Sequence, residues 1–548
     1  MSLPRASSGG TGTFPRSFRV ALWLAAAALA SLTVGSSIAV AQPAGAGSAP
    51  ASRGNPPAGW KSGADWAAPN RDLANTRATT RTPLDSGNVS DLRVKWRFPL
   101  EGTPTFAGML ASNPLVVDGT VYLIDLNSRV YAIDQDSGRM RWQHSFDSPS
   151  VGPNGVAYGW GMLFGTTETG AFALDPRTGE TIWSRELVLG GKGGIDIAPQ
   201  LYDHTVIVSS VPSTFERYEP GVIGEVWALD ARTGSSKWQF DTVEDTGLWG
   251  HPELNSGGGL WYPPAVDDQG RVFLAVANPA PFPGTPEFPN GASRPGPNLY
   301  TNSLVALDGA TGRLLWYQQA VPHDVRDYDL QASPIVTQVP LGGVRTEIVV
   351  VAGKMGTVFA YRADDGGPLW TLSVGRHQND VGPLPADPVM VYPGIFGGIE
   401  TPMALADGRL FVPWVDEGSE LSATSSISFP DLSQGRGGLT AVDVATGRVL
   451  WQRRLPQMAF GAATVANDVV FTSTYDGTMY AFDTRTGRTL WTDTERAGIN
   501  SPPAVHGDML LVGAAAPAFF AQPAPELVAY ELRSDRGGRG GRFDRSMR

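Results

Sequence analysis

One thirteen-residue pattern recurs through this chain: a run of apolar residues, a turn of Asp, Gly and small polar residues, and a second run ending in tryptophan. In LVALDGATGRLLW, residues 304–316, Leu304 to Leu307 suit a strand, Asp308 can bond its own turn, Gly312 supplies a left-handed position, and the next strand closes on Trp316. Equivalent segments end at Trp142, Trp183, Trp238, Trp370, Trp451 and Trp491, seven copies in all. Self-similarity at a spacing that starts near 40 residues predicts a ring of four-stranded units, each burying its flat faces against its neighbours. The tryptophan is then the plug between units.

Two half-copies predict how the ring closes. VKWRF around Trp96 has the tryptophan strand alone, and LVAYEL, residues 527–532, has the preceding strand alone. Joined in space they form an eighth unit and leave no open sheet edge. The expected fold is therefore all-β: an eight-bladed β-propeller over residues 63–532, sealed by its N- and C-terminal strands. The 66 Gly and 44 Pro of the 548 residues supply the turns such a ring needs, and the 16 Trp exceed the demand of an ordinary core.

Residues 1–41 read as a cleavable export signal: Arg16 and Arg19 precede the apolar run VALWLAAAALASLTV, and Ala39-Val40-Ala41 offers a small-residue cleavage site. An uncleaved anchor is the rival, weakened by Gly35, Ser36 and Ser37. The mature chain is thus expected in the periplasm or outside the cell, with no integral membrane segment. A Pro/Ala/Gly/Ser linker follows, residues 42–62. With no cysteine, stability comes from packing and ring closure rather than disulfides, and covalent c-type haem is excluded. The net charge of −11 at pH 7 argues against nucleic acid as a partner. The Arg/Gly-rich tail, residues 533–548, reads as disordered.

The segment DWAAPNRDLANTRATTRTPLDSGNVSDLRVKW, taken with the repeats, resembles the opening of the quinoprotein alcohol dehydrogenases, eight-bladed propellers that bind pyrroloquinoline quinone (PQQ). The resemblance runs from Trp66 to about Leu532 and implies specific site residues. In ANPAPF and VPHDVRDYDL, Asn278 matches a metal ligand and Asp327 the catalytic base beside it. In EPGVIGEVWALD, Glu219 matches a further ligand, and Asp329 adds a carboxylate two residues after Asp327. Such an all-oxygen set suits Ca²⁺, or a lanthanide where charge is added, and not zinc or copper. Trp261 matches the floor beneath the quinone and Lys354 the cation beside its reactive oxygens. Each residue also has a plainer reading: an Asx-turn at Asn278, a surface charge at Glu219, a pair with Arg326 or His323 at Asp327, a core tryptophan at Trp261, a solvated lysine at Lys354.

The chain also departs from that family. Ser148 and Pro149 stand where adjacent cysteines are usual, Asn154 where an arginine is, Asp196 where a threonine meets a PQQ carboxylate, and Ile399-Glu400 where an Asn-Trp pair is. Loops at 281–297, 375–398 and 417–438 are expected to cover the mouth of the ring. No HExxH, GxSxG or GxxxxGK[ST] competes for the chemistry. The resemblance implies oxidation of an alcohol or polyol, with electrons leaving to a separate acceptor such as a cytochrome. The alternative is a propeller without catalysis that binds envelope components.

Overall fold

A computed structural model describes residues 55–58, 60, 65–102, 108–150, 152–189, 192–214, 217–424, 431–520 and 522–533. The expected signal, most of the expected linker and the tail beyond Arg533 lie outside the described residues. No helix among those described is long and apolar enough to cross a membrane.

Eight antiparallel sheets form the ring. Blades one to seven span residues 115–145, 156–186, 200–241, 265–319, 332–373, 404–455 and 464–494, each with its four strands in chain order. Blade eight is composite: Ala504–His506, Met509–Ala516 and Glu526–Leu532 come from the C-terminus, and the outer strand Leu92–Pro99 comes from the N-terminus. Leu92 pairs with Leu532 and Pro99 with Glu526, so the chain's two ends share one ladder.

The repeat explains the joints between blades. Trp96, Trp142, Trp183, Trp238, Trp316, Trp370 and Trp451 each donate the indole N–H to a carbonyl in the turn of the following blade, at 2.8–3.1 Å. The glycine of that turn lies flat on the same indole. At Gly312, with φ +71°, an added Cβ would fall 2.7 Å from the Trp238 ring, so both the left-handed backbone and the close approach demand glycine. Burying a large aromatic in this way stabilises each joint by about 1.5–3 kcal/mol through area alone. The last joint differs because blade eight has no such turn. There Trp491 meets Tyr530 edge-on at 5.2 Å, and the Tyr530 hydroxyl donates to Asp493 and Glu495.

Residues 65–84 form an internal strap that bonds to all eight blades, to the innermost strand in seven of them. Its backbone pairs with Val116, Tyr158, Val266, Val336, Leu405 and Val465 in blades one, two, four, five, six and seven. Gln200 of blade three donates to Asn75, and Thr82 donates to Gly507 of blade eight. The fully buried Arg77 guanidinium donates to the carbonyls of Ala463, Pro69 and Pro503 and to Asn70 and Thr464. The Asn-Thr-Arg segment therefore fastens the blades together at the axis.

Candidate active site

The segments that lead into the innermost strands converge around the axis and enclose a cavity of about 200 Å³. That exceeds the roughly 150 Å³ that accommodates benzene, leaving room for a larger planar ring. Gly152, Trp261, Gln331, Lys354, Glu400 and Thr401 line its inner part. Phe396, Leu432, Phe460 and Tyr475 wall the side toward the loops. Those loops are tied to one another: Asn290 exchanges hydrogen bonds with Leu384 at 2.7 and 3.0 Å and donates its backbone N–H to Ala423.

Trp261 reaches the cavity because Gly258 and Gly259 carry the chain past blade three with φ of +82° and +90°. A Cβ at Gly259 would sit 2.0 Å from the Ser210 carbonyl oxygen. Opposite, Gly152 lies so close that its Cβ would be 3.1 Å from the Trp261 ring. The Trp261 indole nitrogen, Thr401 Oγ1 and Glu400 Oε1 are all buried without a hydrogen-bond partner. Buried polar atoms left without partners at one cavity point to a ligand that would satisfy them.

Beside this floor lies a buried charged cluster. Lys354 Nζ donates to Asp327 Oδ2 at 2.7 Å and lies 3.0 Å from Asp329 Oδ2. Asn278 donates its side-chain amide to Asp327 Oδ1 at 3.0 Å and its backbone N–H to Asp329 Oδ1 at 2.9 Å. Asp327 adopts a left-handed backbone, φ +66°, which is strained for a non-glycine residue. The Asp324 carboxylate holds that shape by accepting from the backbone N–H groups of Arg326 and Tyr328 at 2.8 and 2.7 Å. Burial opposes the charge on Lys354, yet the two aspartates raise its pKa well above the ordinary value. The cavity is therefore met by a firmly charged ammonium whose counter-ions sit behind it.

The structure thus gathers Asn278, Asp327, Asp329 and Lys354, and it places Trp261 on the same cavity. It does not bring Glu219 to them: the Glu219 carboxylate accepts the Gly193 N–H at 2.6 Å. Tyr218 comes instead, its hydroxyl donating to Asn278 Oδ1 at 2.5 Å and its ring edge-on to Phe282. No three His, Asp or Glu side chains among the described residues are spaced to hold a metal ion. Of the expected set, Asn278 and Asp327 are hydrogen-bonded to each other, while Glu219 is bonded to Gly193. The oxygen of Asn278 is taken, Glu219 is engaged elsewhere, and the aspartates' charge is met by Lys354, so a metal ion does not fit the donors as they stand.

The departures noted in the sequence have structural roles. Asp196 accepts from Ser150 Oγ at 2.8 Å and from the Gly152 N–H at 3.1 Å, which shapes the segment facing Trp261. Asn154 donates to the Asp125 carbonyl at 3.0 Å. Glu400 lines the cavity; its Oε2 accepts from Gln331 Nε2 at 2.7 Å. Burial pushes the Glu400 carboxyl up to about 7, with Lys354 pulling it back. Sequence reasoning missed Tyr218, Gln331 and Thr401; for Tyr218 the only available signal was its place next to Glu219.

Residues 66–159 and 190–376, just over half of the chain, match the family description "Glucose/ethanol/alcohol dehydrogenase, beta-propeller domain". The chain belongs to this family. Residues 397–534 match the description "Outer membrane protein assembly factor BamB". Among curated relatives, the quinohemoprotein alcohol dehydrogenase of Comamonas testosteroni is 27% identical over 515 residues, covering 81% of this chain and 71% of the relative. The quinoprotein alcohol dehydrogenase PedH of Pseudomonas putida is 26% identical over 493 residues, covering 77% and 80%. Two solved structures share the fold: the Comamonas testosteroni quinohemoprotein alcohol dehydrogenase (TM-score 0.74, 23% identity, 87% of this chain and 82% of that one) and a europium-containing methanol dehydrogenase (TM-score 0.70, 21% identity, 85% and 98%).

Proposed function

We propose that this chain is an exported quinoprotein oxidoreductase that oxidises an alcohol or polyol with PQQ held in the axial cavity. The observation that carries the reading is the Lys354 ammonium, set on the cavity wall beside the Trp261 indole and held from behind by Asp327 and Asp329. The flat indole suits a planar ring, and Lys354, Thr401 and the Trp261 N–H suit carbonyl and carboxylate oxygens, so the lining fits a quinone. When bound, PQQ supplies a two-electron acceptor for the hydride of an alcohol.

Asp327, with both oxygens already engaged by Asn278 and Lys354, fixes the ammonium, whose remaining N–H would serve the oxygens of a bound quinone. Phe396, Leu432, Phe460 and Tyr475 exclude water above the ring. A Ca²⁺-like ion or a lanthanide belongs to the reading only if Glu219 leaves Gly193 and Tyr218 leaves Asn278, and no step is derived through one. Electrons pass to a separate acceptor such as a cytochrome. The test is reconstitution of the full mature chain with PQQ, with and without Ca²⁺ or La³⁺, followed by tryptophan quenching and dye reduction with short alcohols and polyols. Saturable quenching with alcohol-dependent reduction supports it. No quenching under any of these conditions favours the second reading, a binding propeller of the envelope, which the match of residues 397–534 recommends.

A further inference from the structure

Both oxygens of Asp327 are occupied, by Asn278 Nδ2 and Lys354 Nζ, and the residue lies behind Lys354 rather than on the cavity wall. Among the described acidic residues Glu400 alone lines this cavity, and it is nine-tenths buried. Its orientation is set on two sides. Gln331 Nε2 donates to both its backbone carbonyl, at 2.8 Å, and its Oε2, at 2.7 Å, which leaves Oε1 buried with no partner. The approach of Glu400 to Lys354 is built into the backbone. Ile399 donates its N–H to the Gly353 carbonyl at 3.0 Å, and a Cβ at Gly398 would fall 2.0 Å from the Lys354 carbonyl oxygen.

We infer that Glu400, and not Asp327, is the carboxyl that meets the substrate hydroxyl in this cavity and accepts its proton. The inference rests on the quinoprotein reading. The alcohol O–H bond would break with its proton going to Glu400 Oε1, and bound PQQ would supply the two-electron acceptor for the hydride of the adjacent C–H bond, so that the alcohol leaves as a carbonyl compound. The charged and titratable groups around Glu400 are Lys354 and Asp329 on the blade-five side, Glu417 on its own blade's loop, and Tyr262 from the segment before blade four. Lys354 favours the carboxylate and the acids oppose it, so a base that titrates near neutrality follows from this setting.

The experiment compares wild type, Glu400→Gln, Glu400→Asp and Asp327→Asn as full mature chains between pH 5 and 9. Two readouts are used: PQQ affinity by tryptophan quenching, and kcat/KM for dye-linked alcohol oxidation. For wild type, affinity for the polyanionic PQQ weakens as pH rises past neutrality while kcat/KM rises along an acid limb. Glu400→Gln flattens the affinity profile, removes the acid limb and lowers kcat by about 10²–10⁴-fold with KM little changed. Glu400→Asp restores part of the limb, and Asp327→Asn retains it. If Glu400→Gln keeps both pH dependences, or Asp327→Asn alone loses the limb, Glu400 has no such role and the function reading stands. If wild type neither binds PQQ nor turns over at any pH, both fall together.

Discussion

Lys354 Nζ sits 2.7 Å from Asp327 Oδ2 and 3.0 Å from Asp329 Oδ2, one ammonium serving two buried carboxylates. Breaking a buried pair by removing one partner leaves uncompensated charge, which costs about 3–5 kcal/mol. Lys354→Met is therefore expected to lower the unfolding free energy by that amount at pH 7, read as a lower urea midpoint. The wild-type contribution of the raised Lys354 pKa is complete below the unfolded value of about 10.4 and disappears only as pH climbs through the folded value. Urea titrations of both chains at pH 7 and 10 check the size and the sign.

Tyr218 occupies the Asn278 oxygen that a hard cation would need. Tyr218→Phe releases Asn278 Oδ1 while leaving the aromatic contact with Phe282, at a cost of about 1–3 kcal/mol for the acceptor left bare. Terbium luminescence is expected to report tighter lanthanide binding in the variant than in wild type. Equal affinity in the two chains would show that the hydroxyl does not compete for that oxygen.

Two buried glutamates predict an unusual pH slope. Burial pushes both Glu400 and Glu417 up to about 7; Lys354 pulls Glu400 back, and the Phe396 N–H pulls Glu417 back. Because the folded pKa values exceed the unfolded value of about 4.3, the stability these groups contribute is full below that pH and is lost as pH rises to about 7. The loss is on the order of a few kcal/mol. Urea midpoints should fall between pH 5 and 8 in wild type, and the double variant Glu400→Gln, Glu417→Gln should flatten the slope.

The joints between blades give a controlled test. Gly312→Ala forces a left-handed alanine and drives its Cβ to 2.7 Å from the Trp238 ring, whereas Gly342→Ala, at φ +57°, meets nothing within 4 Å. The first should lose about 2 kcal/mol more than the second, read as a lower thermal midpoint. Equal losses would mean that the indole yields easily.

The wheel is legible in the sequence because seven blades repeat one turn and one tryptophan, and both contacts at seven of the eight joints involve those two residues. The cluster is legible only in part. Asn278, Asp327, Asp329 and Lys354 stand in recognisable segments and meet in space. Glu219 stands at a comparable spacing, yet its carboxylate reaches a backbone N–H that no spacing reveals. Tyr218 and Gln331 act through single rotamers, and the proton affinity of Glu400 comes from burial, which is a property of the closed ring. The strap, residues 65–84, is illegible for another reason: most of its partners are main-chain groups of the blades, and these have no signature in residue identity.

The shared ladder of Leu92–Pro99 and Glu526–Leu532 has a consequence for biogenesis. Until synthesis reaches Leu532, blade eight lacks the strand to which the N-terminal ladder must bond, and the nascent chain keeps two unsatisfied β-edges. The ring cannot close ahead of its last strand, so its final ladder forms only once residues 526–532 have left the ribosome.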